Sequence, residues 1–336
     1  MTPVDQHVLV PKGPQAAHIA ELWWLYLAVA SVVVLLVWAF VLIALFRKRV
    51  TEQVPAVDED TIASTHAPAG PLRTLPAGEE KTRQRWVFGA TGITIVTLVV
   101  LLVESVAAGA RINGLPRDGQ LEIELTGHRW WWGARYLDDD KSQIFATANE
   151  LHVPVGRTVE LSLRSADVIH SFWVPNLAGK RDLIPGRTTR IAFRADHPGR
   201  YRGQCAEFCG HAHAEMALWI VAESEADFQA WSQQQRADAP TPSTPIARRG
   251  HDVFMSGPCV MCHGISGTIA QSSQGPDLTH FASRKTLAAG TLENTRGHLA
   301  GWVLNAPNIK PGTEMPSITL PADDLHALIA YLETLR

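Results

Sequence analysis

Cysteine is scarce in this chain: of 336 residues only four are cysteine, and they fall as two close pairs, Cys205 with Cys209 and Cys259 with Cys262. None is left over for a distant structural bridge, which excludes a secreted disulfide framework and makes each pair a candidate ligand or attachment site. An excess of charge of one sign is also missing. The 30 Lys and Arg nearly balance 33 Asp and Glu, for a net charge of −3, so there is no electrostatic case for a nucleic-acid partner. No repeat at a solenoid period is present, and no nucleophile paired with a base, or open metal position, is evident. The length suffices for two ordinary domains plus membrane segments.

Two long apolar runs stand at the front. Leu22 to Phe46 carries no charge over 25 residues, more than the roughly 20 needed to cross a bilayer as a helix. A cleaved signal peptide is the rival, but the run is too long, has no basic region before it and ends in Arg47-Lys48-Arg49. The second run, Trp86 to Val103, follows Lys81, Arg83 and Arg85 and relaxes into Glu104, which is read as interfacial although intramembrane acids are functional candidates by default. Seven Lys or Arg lie between 47 and 85 against a single Lys12 in the first twenty residues, so the positive-inside rule puts the loop in the cytoplasm and both chain ends outside. Trp23, Trp24 and Trp86 sit where interfacial anchors belong.

From about Leu121 the pattern alternates with period two, as in Val159, Leu161 and Leu163, with turns at Val155-Gly156 and His197-Pro198-Gly199. This predicts an antiparallel β-sandwich or barrel over about 120–222. Residues 232–245 are polar and proline-rich, the composition of a flexible linker. The remainder, with Gly- and Pro-rich loops and an apolar-periodic end, reads as a small helical domain. The expected organisation is an outer segment 1–20, a transmembrane helix 21–46, a cytoplasmic loop 47–85, a second transmembrane helix 86–108, a β domain 109–231, a linker 232–245 and a helical domain 246–336.

Cys259-Val260-Met261-Cys262-His263 is the C-x-x-C-H haem attachment pattern: two thiols form thioethers and the adjacent histidine reaches the iron. A redox dithiol is the bland alternative, opposed by the histidine and by the lack of a βαβ pattern. A low-spin carrier needs a sixth ligand, and Met315, in a proline-bracketed loop, is the only methionine after His263; its competing role is core filling. This stretch resembles a class I cytochrome c over 246–336, on the haem motif, Gly250 and Phe254 in the first helix, Gly275-Pro276, the Met315 loop and Tyr331 in the last helix. The resemblance implies that the first and last helices cross at Gly250, Phe254 and Tyr331.

Between Cys205 and Met216 the chain packs two thiols, two imidazoles (His211 and His213) and a thioether, the donor set of copper electron-transfer sites. Tetrahedral zinc uses two Cys and two His as well, but needs neither Met216 nor a pair of bridging thiolates. A further ligand is expected from an adjacent strand end, where His170 stands after a β-rich run. Residues 20–222 resemble subunit II of the haem-copper oxidases, and with the cytochrome stretch the whole is similar to the caa3-type fusion. The resemblance implies a two-helix transmembrane hairpin, an all-β cupredoxin-like Greek-key domain and an all-α cytochrome c domain. It implies a binuclear copper centre on His170, Cys205, the carbonyl of Glu207, Cys209, His213 and Met216, with His211 outside the ligand set. It further implies a magnesium shared with subunit I through the Glu207 side chain and electron entry at Trp130, Trp131 and Trp132 being read as core or bilayer-facing. Arg83 and Arg85 stand where many members carry a carboxylate, a departure that weakens the case for proton uptake here.

The expected function is electron input to a terminal oxidase: a soluble or membrane cytochrome, or a quinol-oxidising complex, feeds haem c, then copper, then a catalytic subunit that reduces oxygen to water. Expected partners are oxidase subunits I and III, and the expected location is a bacterial inner membrane, crossed twice. The linker is expected to raise the effective concentration of haem near copper. The alternatives are the electron-input subunit of a nitric oxide reductase, the copper module of a nitrous oxide reductase, disfavoured by two membrane helices, and a copper-delivery protein, opposed by the haem motif.

Overall fold

The computed structural model of the protein describes residues 6–46, 77–116 and 119–336. Arg47, Lys48, Arg49 and Arg73, which carry much of the topology argument, lie outside the described residues.

Two long helices come first, α1 (Pro14–Phe46) and α2 (Ala77–Asn113). Both are long and apolar enough to cross a membrane, and their side chains, such as Leu35, Phe40, Ile93 and Val106, are exposed. Such a face is stable only where the surrounding medium is itself apolar. Both helices outrun the expected spans 21–46 and 86–108. Pro14 has the fixed φ that suits a first helical turn, and Gln15 and Ala16 are buried, with the Ala16 N–H donating to the Leu177 carbonyl at 3.2 Å. Glu80, Lys81, Arg83 and Arg85 are good helix formers that let α2 continue past its apolar part.

The β domain contains β1 (Leu121–His128), β2 (Trp131–Tyr136), β3 (Phe145–Ala148), β4 (Glu150–Pro154), β5 (Val159–Ser165), β6 (His170–Phe172), β7 (Arg181–Leu183), β8 (Thr189–Phe193), β9 (Gly199–Gln204) and β10 (Ala217–Glu223). One sheet has the order β3-β2-β1-β5-β8, a second β4-β10-β9, and β6 pairs with β7. Alternation along β1 buries Leu121, Ile123 and Leu125 and turns Glu122 and Glu124 outward. With Trp132, Phe172 and Phe193 these side chains fill the space between the sheets, each large one stabilising by about 1.5–3 kcal/mol relative to exposure. The sandwich is not wholly antiparallel: β1 runs parallel to β5, and β4 to β10. Period-two patterning reports which face is buried and is silent on the direction of the neighbouring strand, so Greek-key crossovers escape it.

The expected linker 232–245 is also corrected. Its first five residues belong to α3 (Glu225–Arg236), capped by Ser224, whose side chain accepts from the Asp227 N–H. Trp231 of that helix stacks on His152 at 4.3 Å and meets Tyr136 edge-on at 5.3 Å. Residues beyond it are tied down: Ala239 N–H donates to Ser266 O at 3.1 Å, Ser266 Oγ to Asp238 Oδ1 at 2.6 Å, and His280 Nε2 lies 3.0 Å from Ala237 O. A polar composition is compatible with such bonds and does not by itself give flexibility.

The C-terminal domain comprises α4 (Pro245–Ser256), the short hairpin β11 (Thr286–Leu287) and β12 (Leu292–Glu293), α5 (Arg296–Ile309) and α6 (Ala322–Leu332). Helices α4 and α6 cross at Gly250, where a Cβ would run into the Ala327 carbonyl and the Tyr331 side chain; Phe254 meets Tyr331 at 6.0 Å between ring centroids. Replacing Gly250 with Val should therefore force the helices apart and cost about 1–3 kcal/mol, read as a lower midpoint of thermal unfolding for this domain by pulse proteolysis. An unchanged midpoint would contradict the close crossing.

Candidate metal centres

One loop delivers most of the first centre. Strand β9 ends at Gln204, and the chain then turns through Cys205, Glu207 and Cys209 to a 3-10 turn at His213–Glu215 before Met216 opens β10. The turn is closed by main-chain bonds, Cys205 N–H to Met216 O and Ala206 N–H to Ser171 O, each 3.0 Å. The second brings the loop to β6, where His170 is the first residue. The two sulfurs of Cys205 and Cys209 lie 3.8 Å apart. His170 Nδ1 is 3.9 Å from Cys205 Sγ, His213 Nδ1 is 3.5 Å from Cys209 Sγ, and Met216 Sδ is 3.9 Å from Cys209 Sγ. The Glu207 carbonyl oxygen is 3.3 Å from Cys205 Sγ. All six expected donors thus converge, with Cys205, Cys209, His170 and Met216 buried, whereas His211 is exposed.

The two thiols act on each other's ionisation in opposite directions. The hydrogen bond with Cys209 holds the Cys205 pKa down at about 4, with further bonds from His170 and backbone outweighing burial, whereas Cys205 and burial push the Cys209 thiol up. Two thiolates this close cannot both ionise unaided, and a bound metal deprotonates coordinating thiols. Soft sulfur with imidazole fits copper.

Asp167 completes the geometry. Its carboxylate is 2.8 Å from His170 Nε2 and accepts the Arg129 N–H at 2.7 Å. Burial raises the Asp167 pKa, but hydrogen bonds from His170, Val168 and Arg129 outweigh it and the net shift is downward. The resulting carboxylate holds Nε2–H and leaves Nδ1 facing the sulfurs, the usual arrangement behind a metal-bound histidine. Sequence reading missed this role; the Asp-x-x-His spacing immediately before the ligand was the available signal.

The second centre is a cavity of about 310 Å³ bordered by Cys259, Cys262, His263 and Met315 together with apolar side chains such as Phe254 and Leu299. His263 Nδ1 is 2.8 Å from the Pro276 carbonyl, so Nε2 is free to face the cavity. Burial lowers the His263 pKa, keeping the imidazole neutral and able to ligate. Two thiols in one short turn, an oriented imidazole and a thioether around an apolar cavity fit a covalently attached haem.

Trp130 connects the two. It is only 7 % exposed. Its Nε1–H donates to the Cys209 carbonyl at 3.0 Å, and its ring borders the cavity and lies against Gly312 of the Met315 loop, where φ is +88° and a Cβ would come within 2.9 Å of the indole. Trp132 is fully buried in the sandwich, while Trp131 stacks on His128 at 4.1 Å and borders the same cavity. Glu207 turns its carboxylate to solvent, 3.4 Å from Lys180 Nζ.

Comparison with known proteins agrees with this composite. Residues 136–224 match the family model described as "Cytochrome C oxidase subunit II, periplasmic domain", and residues 247–336 the model described as "Cytochrome c". The chain is similar to the protein named "Cytochrome c oxidase subunit 2" of Alkalihalophilus pseudofirmus, 32% identical over 98% of this chain and 90% of the relative. Proteins with the same name from Bacillus subtilis and Bacillus sp. are 26% and 28% identical; the first match covers 73% of each chain, the second 77% of this chain and 78% of the relative.

Replacing Asp167 with Ala frees the His170 ring. Copper affinity, measured by competition with a chelator, should fall roughly 10–100-fold, and an unchanged affinity would remove His170 from the ligand set.

Proposed function

The chain belongs to the family of cytochrome c oxidase subunit 2, fused to a cytochrome c domain, and from that premise we propose that it carries electrons from a donor through a covalent haem c to a binuclear copper centre and on to a catalytic subunit that reduces oxygen to water. Haem and copper supply the one-electron chemistry when bound. Cys259 and Cys262 hold the porphyrin, and His263 and Met315 the iron. Cys205, Cys209, His170, His213, Met216 and the Glu207 carbonyl hold the copper pair.

The observation that carries this reading is the burial of Trp130 between Cys209 and the Met315 loop. The indole is in contact with both centres' protein shells, so it serves as the bridge between them, and electron entry from an external donor falls to the cytochrome domain. Four of the copper-site donors, His170, Cys205, Cys209 and Met216, are already buried, and His170 is held by Asp167; that preorganisation keeps reorganisation small as charge arrives.

The same premise assigns the remaining parts. Phe208, 77 % exposed beside the ligand loop, suits a contact with oxidase subunit I, and Glu207 would exchange Lys180 for a magnesium there. Subunit III and a cytochrome or quinol-oxidising complex are the other partners. The two apolar helices anchor the chain in a bacterial cell membrane, with the 47–85 loop in the cytoplasm and the N-terminus, copper and cytochrome domains outside. The copper domain, expected over 109–231, runs on through α3 to Arg236, and the cytochrome domain occupies 246–336.

The test is rapid mixing of the purified complex with a reduced cytochrome. Haem c should be reduced first, copper next, and oxygen consumed, whereas turnover of nitric oxide without oxygen uptake would move the chain to a reductase. Two substitutions sharpen it. Met315→His should lower the haem midpoint potential, since a thioether ligand raises it, and redox titration that shows no change would exclude Met315 as a ligand. Trp130→Leu should slow reduction of copper from haem by roughly tenfold or more, about 1.4 kcal/mol on the barrier, with both optical spectra kept; an unaltered rate would remove Trp130 from the path.

A further inference from the structure

The amine of Lys310 is buried where the cytochrome and copper domains meet. Its Nζ donates to the carbonyls of Trp130 at 2.8 Å, Glu215 at 2.8 Å and Ala288 at 2.9 Å. Three acceptors match the three N–H groups of an ammonium. Burial lowers its pKa to about 7, with Glu215 and Cys209 pulling the other way. A buried lysine is expensive unless its donors are met, and here the acceptors are main-chain oxygens from both domains.

The surroundings repeat the theme. The Ala217 N–H donates to the Ala289 carbonyl at 3.0 Å, so the β11–β12 hairpin of the cytochrome domain bonds the residue that follows Met216. Thr291 Oγ lies 3.4 Å from Glu215 O, on the residue before Met216. Two residues beyond Lys310, Gly312 rests on the Trp130 ring, and Arg129 pairs with Glu314 at 3.5 Å. Lys310, Ala288 and Ala289 also border the haem cavity. A single side chain thus joins the β1–β2 turn carrying Trp130, the turn leading to Met216 and the loop carrying Met315.

We propose that Lys310 is a positioning residue that locks the cytochrome domain onto the copper domain, so that electrons cross within the chain in one fixed docked geometry rather than by a tethered search. The inference rests on the electron-transfer reading above. It departs from what a flexible linker would provide, because a tether raises encounter frequency while a clamp removes the encounter altogether. It also leaves the Trp130 face closed to an external donor.

The experiment uses the purified oxidase complex carrying Lys310→Met, which keeps the length of the side chain and removes its donors. An electron is injected into haem c by a photoreductant and its arrival at copper is timed. The expected result is an internal rate lowered at least tenfold, unchanged midpoint potentials at both centres, and faster backbone hydrogen exchange across 286–292 and 310–316. A rate within twofold of the unmodified chain, with unchanged exchange, overturns the clamp. If the variant does not assemble, a Gly/Ser insertion of about ten residues between Pro242 and Ser243 decides. A clamped pair keeps its rate, and a tethered search slows severalfold as effective concentration falls with tether length. Absence of copper or covalent haem from the unmodified complex would count against the electron-transfer reading; the exchange comparison needs neither group and still judges the clamp.

Discussion

Two cysteine sulfurs held 3.8 Å apart in a buried loop set the terms for the rest of this molecule. Cys205 is held by its N–H bond to the Met216 carbonyl and by Ala206 N–H to Ser171, and Cys209 by the Trp130 indole on its carbonyl, while like charge this close disfavours ionising both thiols. The β-sandwich resolves this by bringing β6 to the same end as the β9–β10 loop, so that His170 faces Cys205 while Asp167 holds the far side of its ring. The fold is therefore a support for one buried cluster of thiol, imidazole and thioether donors, a set whose softness suits copper. Sheet order matters here because the donors come from segments separated by more than thirty residues.

The second domain extends that support. Its cavity is oriented by a histidine fixed on the Pro276 carbonyl, and its outer loops reach the copper loop through the Ala288–Thr291 hairpin turn and Lys310. Trp130 is the shared wall, bonded to Cys209 on one side and covered by Gly312 on the other. Burial of the indole follows from the cytochrome domain packing over it.

Much of this was legible in the sequence, for reasons that differ by feature. The Cys-x-x-Cys-His run and the Cys205–Met216 cluster are local, so spacing alone displayed their donors. The apolar runs announced the two helices through length and lack of charge, though not where helical hydrogen bonding would stop, since Glu80, Lys81 and Arg83 favour helix as much as the apolar residues do. His170 needed family resemblance, because a single histidine carries no signal of which loop it will face. Strand direction was invisible to a period-two pattern, hence the parallel β1/β5 and β4/β10 pairs. The linker was misread because composition counts polar residues without seeing their partners in Ser266 and His280. Lys310 was wholly hidden: its acceptors lie at Trp130, Glu215 and Ala288, and only the packed domains bring them to one point.

The central claim is that the thiol pair holds two coppers, and electron paramagnetic resonance of the oxidised complex, with copper counted per covalent haem, tests it most directly. The account predicts two coppers per chain beyond any in the catalytic subunit, with hyperfine structure showing one unpaired electron shared equally between two copper nuclei. A signal confined to a single copper nucleus, or zinc in place of copper, would contradict it.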